Sequence, residues 1–164
     1  MITISEFMTS EPYTLRESDS LNDARIIMTE KHIRHIPITD DDNHLLGLVT
    51  QRDVLAATAP TMMPHVDAVS YEADVRLSDI MIRDVSVIHK SDSLRRAALY
   101  IQSRKYGCLP VVSDDRLVGI ITDSDFIDIA INLLEQAEIM EEETKVEVDN
   151  ESLELSEVKS ARVY

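Results

Sequence analysis

Apolar residues recur along the chain in two alternating rhythms, and the same order of rhythms appears twice. Leu21, Ala24 and Met28 fall at i, i+3 and i+7, one face of a helix that Ser20 can cap. Leu94, Ala97 and Ile101 repeat that spacing behind Ser93. Short β-prone runs at residues 13–15 and 85–88 precede these helices. Each helix is followed by two apolar runs around an acidic turn, at 35–39 and 45–50 in the first half and at 109–112 and 117–122 in the second. Paired runs of this kind predict a hairpin. A further helix follows each hairpin, from about Arg52 and from about Ser124. The predicted unit is β-α-β-β-α, present twice.

Alignment of the two halves supports the duplication. At an offset of 73, Ser5 falls on Ser78, Met8 on Met81, Ser18-Asp19-Ser20-Leu21 on Ser91-Asp92-Ser93-Leu94, Ala24 on Ala97 and Pro37 on Pro110. One residue drops out in the acidic turn, after which Leu45, Gly47, Thr50 and Asp53 fall on Leu117, Gly119, Thr122 and Asp125. A unit this small exposes one face of its sheet, so the copies are expected to pack on each other. The chain divides into a first copy at 1–57, a linker at 58–75, a second copy at 76–134 and an acidic tail at 135–164. The linker carries Pro60, Pro64 and the Met62-Met63 pair and reads as irregular. The last helix is expected to run on through Ile131 and Leu134 toward Met140.

Charge narrows the classes of function. The 164 residues include 31 Asp and Glu against 16 Lys and Arg, a net charge of −15. That balance argues against a sequence-independent grip on nucleic acid and against docking on an anionic membrane. With 44% hydrophobic residues the chain can build a core. Cys108 is the sole cysteine, which rules out an intramolecular disulfide and a thiolate-rich zinc site. No export signal and no apolar run of membrane-spanning length is visible, so a soluble cytoplasmic protein is expected. The tail holds ten acidic and three basic residues and reads equally as a solvated extension or as a segment that docks on a neighbour.

The best-defined short signal is Gly47-Leu-Val-Thr-Gln-Arg-Asp53 and its echo Gly119-Ile-Ile-Thr-Asp-Ser-Asp125. In each, a strand ends at Thr and a helix begins, with Asp three positions later. Thr-x-x-Asp can be a capping box, in which hydroxyl and carboxylate satisfy free backbone N–H groups. The same geometry suits ligand binding, because a helix N-terminus after a strand attracts anions and a carboxylate there can grip ribose hydroxyls.

Residues 4–132 resemble a tandem pair of cystathionine-β-synthase (CBS) domains, or Bateman module. The matching residues are Phe7-Met8-Thr9, Ser20-Leu21-x-x-Ala24, Ile36-Pro37-Ile38 and Gly47-Leu-Val-Thr-x-x-Asp53. In the second copy they are Ile80-Met81, Ser93-Leu94-x-x-Ala97, Leu109-Pro110-Val111-Val112 and Gly119-Ile-Ile-Thr-x-x-Asp125. The resemblance implies an α/β (α+β) fold of two packed sheets with helices outside and two clefts related by a pseudo-two-fold. It also implies a non-enzymatic module that senses adenosine-type ligands such as AMP, ADP, ATP or S-adenosylmethionine and regulates a partner protein. AMP is the leading expectation, as a regulatory ligand rather than an obligatory cofactor. Carried over by motif, Asp53 with Thr50 and Asp125 with Thr122 would hold ribose and phosphate. Thr14 and Ile36-Pro37 would wall one adenine, and Val87 and Leu109-Pro110 the other.

The copies differ in charge. Arg52 stands beside Asp53, where copy two has Ser124 and the extra carboxylate of Asp123. A second negative charge beside a phosphate costs about a kcal/mol or more. The Thr50/Arg52 motif is therefore expected to line the cleft that takes a charged nucleotide. Other basic candidates are Arg34, His35, His89, Arg95, Arg104 and Lys105. The histidines lack metal-ligand spacing, Cys108 reads as a buried small hydrophobe, and Asp40-Asp41-Asp42 lacks the pattern of a calcium loop. No effector domain is visible, so output is expected to pass through another chain. The competing expectation is a ligand-free interaction protein whose repeats serve to dimerise. Either way a homodimer is expected, since helix residues such as Phe126, Ile129 and Leu133 exceed what one small module can bury.

Overall fold

The computed structural model describes residues 2–58 and 68–160, with side chains described for 2–58 and 71–145. The elements are β1 (Thr9–Ser10), α1 (Leu21–Lys31), β2 (His35–Thr39), β3 (Leu45–Thr50), α2 (Gln51–Ala57), α3 (Ala68–Asp74), α4 (Leu77–Ile80), β4 (Ile88–His89), α5 (Leu94–Arg104), β5 (Cys108–Ser113), β6 (Arg116–Thr122) and α6 (Asp123–Ser160). The described chain falls into two units, one ending at Asp123 and one formed by the rest of α6.

Local chemistry sets the helix boundaries. Ser20 caps α1 by accepting from the Asp23 amide, while the Asp23 carboxylate accepts from the Ser20 amide at 2.9 Å. This box holds the Asp23 carboxyl below its ordinary value, chiefly through the Ser20 hydroxyl and then its amide. Ser93 caps α5 in the same way from its hydroxyl. Both helices end at a residue in the left-handed conformation, His32 and Lys105, which are equivalent in the two copies.

The two copies interlock by exchanging extended segments. β1, which precedes the first copy's helix, pairs antiparallel with β6 of the second copy, and β4 completes the order β1-β6-β5-β4. Reciprocally, Ile82 from the start of the second copy bridges antiparallel to Leu48 on β3, beside the β2-β3 hairpin. The backbone bonds repeat the symmetry: the Ile4 amide donates to Asp92 O and the Leu77 amide to Asp19 O, at 3.1 and 2.9 Å. The first copy's core of Leu21, Ala24, Met28, Ile36, Ile38, Val49 and Val54 accordingly includes Leu77 and Met81 from the second. Ile4 is fully buried likewise.

Three expectations are corrected. Residues 13–15 form no strand; Leu15 makes a single parallel bridge to Ile38. The run expected at 85–88 shortens to β4, because only Ile88 and His89 reach the ladder of β5. The segment read as irregular before Leu77 contains α3, whose Glu72 is buried and receives the Arg25 Nε–H from α1 at 2.7 Å. The part of that segment at 59–67, with Pro60, Pro64 and the Met62-Met63 pair, lies outside the described residues.

Candidate functional site

Each hairpin delivers a threonine to the start of a helix. Thr50 closes β3 opposite His35, and Thr122 closes β6 opposite Cys108. At the first site the Asp53 Oδ2 accepts from the Thr50 amide at 2.8 Å and from its hydroxyl at 2.7 Å, so the capping box is complete. Equivalent backbone bonds anchor both helix starts: the Gln51 amide donates to Arg34 O at 2.8 Å and the Asp123 amide to Gly107 O at 3.0 Å. Asp125 stands on the first turn of α6.

Where the two hairpins meet, charges compensate. The Arg34 guanidinium lies 3.6 Å from Asp123 Oδ1. His35 packs against Gly107 so closely that a Cβ there would come within 2.6 Å of Nε2. Burial pulls the His35 pKa below its ordinary value, opposed by Asp123 and Asp53 and assisted by Arg34. The Asp123 carboxylate therefore does not stand as an unopposed negative charge in the second copy. That weakens the reason for expecting the Arg52 side to take the charged ligand.

A cavity of about 330 Å³ opens in the second copy, lined by Ser86, Val87, Tyr100, Arg104 and Tyr106. Its volume lies within the range of small-molecule sites. The Ser86 hydroxyl donates to Tyr106 Oη at 3.0 Å, and Tyr106 is next to Gly107, which holds the start of α6. A cavity of about 210 Å³ lies nearby, between Leu45–Gly47 and Arg83, Val85, Val87, Val112 and Asp115. In the first copy the positions equivalent to Ser86 and Arg104 are Tyr13 and Lys31. There the Lys31 Nζ sits 5.4 Å over the Tyr13 ring, a cation–π contact.

Of the residues expected to line the clefts, Val87 borders the cavities and is 40% exposed. Thr14, Thr50, Asp53, Thr122 and Asp125 are half-buried, and Arg52 is exposed on α2. Ile36, Pro37, Leu109 and Pro110 are buried, their side chains spent on the core, so what these positions can offer a ligand is backbone. Sequence reasoning missed Ser86, Tyr100 and Tyr106. The signal lay in differences between the copies, since Tyr100 and Tyr106 replace Ile27 and Ile33 of the first.

The remaining chemical candidates have structural roles. Cys108 is buried and its thiol is pushed up to about 12, chiefly by desolvation, which makes it a poor nucleophile. Asp40 accepts from the Asp42 and His44 amides and from the His44 ring, tying the acidic turn together. Among the described residues no cluster of His, Cys, Asp and Glu can hold a metal ion, and no helix is long and apolar enough to cross a membrane.

A duplicated β-α-β-β-α unit with exchanged segments and a Thr-x-x-Asp helix start after each hairpin defines a tandem α+β repeat pair. The CBS domain model matches residues 4–59 and again 77–132, and the chain belongs to the CBS-domain family as a tandem pair. It is 45% identical to the AcuB protein of Vibrio cholerae, named for acetoin utilization, over 84% of this chain and 96% of that one, with a TM-score of 0.71. A structure of CBSX2, the Arabidopsis thaliana CBS-pair protein, in complex with AMP is 28% identical with a TM-score of 0.68, over 81% of this chain and 98% of that one. An uncharacterised protein of Methanocaldococcus jannaschii is 35% identical over 124 residues, 76% of this chain and 41% of the relative. The chain spans 23% to 41% of the first curated relatives it matches.

Proposed function

We propose that this protein is a regulatory module rather than an enzyme, which binds an adenosine-type nucleotide, AMP foremost, and relays its occupancy to a partner protein. The observation that carries this reading is the second-copy cavity between α5, the loop after it and the run before β4, with a hydroxyl, two phenols and a guanidinium on its wall. The AMP complex of the CBSX2 relative supports the choice of ligand. In this reading Thr50, Asp53, Thr122 and Asp125 hold the sugar and phosphate ends, the copies are bounded at 1–57 and 76–134, and the protein works as a cytoplasmic homodimer. Leu133, Leu134 and Met140 on α6, each more than 60% exposed, are apolar surface that a second copy would cover.

A second reading keeps the dimer and omits the ligand: the complete capping box already gives Thr50 and Asp53 a structural task. Thermal melting with AMP, ATP and S-adenosylmethionine separates the two. A ligand at about 100 times its dissociation constant stabilises by about 2.7 kcal/mol. Sensing predicts that shift for at least one compound, and weaker binding in Asp53→Ala or Asp125→Ala. An unchanged melt with all three, in protein stripped of nucleotide, removes the sensing reading.

A further inference from the structure

We infer that the second-copy cavity takes a nucleoside monophosphate and that Arg104 makes it prefer phosphate-bearing over cationic adenosine compounds. This rests on the adenosine-sensing reading and sharpens it by naming the cleft, the charge class and the selecting residue.

Electrostatics points the same way as shape. Residues 93–113, which carry α5, the cavity loop and β5, hold Arg95, Arg96, Arg104 and Lys105 and no Asp or Glu. This is a basic island in a chain of net charge −15. The equivalent residues 20–40 of the first copy balance Arg25, Lys31 and Arg34 against Asp23, Glu30 and Asp40. Arg96 is engaged by Asp92 at 2.7 Å and lies over the Tyr100 ring. Arg104 lines the cavity, and among the described residues its guanidinium has no hydrogen-bond or ion-pair partner. Its first-copy counterpart, Lys31, rests on Tyr13. The second copy thus combines an available guanidinium with two phenol rings on the cavity wall, where the first has already paired its cation. Rings that accept a base by stacking and a guanidinium that meets phosphate are the two halves of a nucleotide. The second copy's extra carboxylate, Asp123, is not among the residues that line the cavity and lies beside Arg34.

Titration calorimetry on the full chain with AMP, adenosine and S-adenosylmethionine tests this. Arg104→Ala is expected to weaken AMP about tenfold while leaving adenosine within about twofold. Arg104→Glu is expected to shift preference from AMP toward S-adenosylmethionine. An Arg104 that merely complements the carbonyl end of α5 would change the melting temperature and leave the AMP-to-adenosine ratio unaltered. That result, or an AMP affinity unchanged in Arg104→Ala and lost in Asp53→Ala, overturns the inference while adenosine sensing stands. Binding of none of the three compounds by the unaltered protein overturns both.

Discussion

Gly47 and Gly119 hold corresponding places on β3 and β6, and neither needs a left-handed backbone. Space explains them. A Cβ on Gly47 would lie 2.9 Å from Ile82 O and 2.8 Å from Met81 Sδ; on Gly119 it would meet Thr9 O at 3.0 Å and Met8 Sδ at 2.5 Å. The methionine ends can move, but each carbonyl belongs to backbone that the other copy lends, Thr9 on β1 and Ile82 at its bridge to Leu48. Gly47→Ala is expected to destabilise by about 1–3 kcal/mol, the usual range for overpacking. Urea unfolding checks it, and an unchanged midpoint would contradict the close approach. Alignment finds both glycines but not their reason, which depends on a neighbour far away in sequence. The same holds for Tyr100 and Tyr106, whose shared cavity exists only after α5 and the loop behind it have folded against the run before β4.

At the scale of elements, what was legible was what is local. Ser20 with Asp23 and Thr50 with Asp53 mark helix starts by chemistry contained within four residues, and β2 and β3 follow from apolar runs around a polar turn. α3 was illegible because its reason to form is tertiary: Glu72 is buried against Arg25 from a helix 47 residues earlier. Ser20 offers a control for the site, since it caps without lining a cavity. Ser20→Ala is expected to lower unfolding free energy by about 1 kcal/mol and leave nucleotide affinity unchanged. If Ser20→Ala weakened AMP binding as strongly as Asp125→Ala, the Thr-x-x-Asp motif would have no special place in recognition.

Across the whole molecule, the net charge says little about the cleft, because charge is distributed unevenly between copies whose backbones match. The junction of the two hairpins is also where pH should act. The depressed folded-state pKa of His35 means the unfolded chain binds more protons. Its contribution is present above the ordinary imidazole value of about 6.5 and is lost as pH falls below it. Between pH 7.5 and 5.5 the protein is expected to lose stability, and His35→Gln to lose less. Denaturant midpoints at the two pH values measure this; equal losses would show that His35 is not the group responsible.

The exchanged segments carry a consequence for assembly. Either repeat alone would present a hairpin whose edge lacks the segment now lent by its twin, and an identical chain is the nearest source of that segment. Two single-repeat chains would satisfy each other only through a bimolecular equilibrium that dilution reverses. Joining the repeats makes the encounter intramolecular, with an effective concentration set by the tether rather than by the amount of protein. The duplication thus makes the interlocked pair insensitive to expression level.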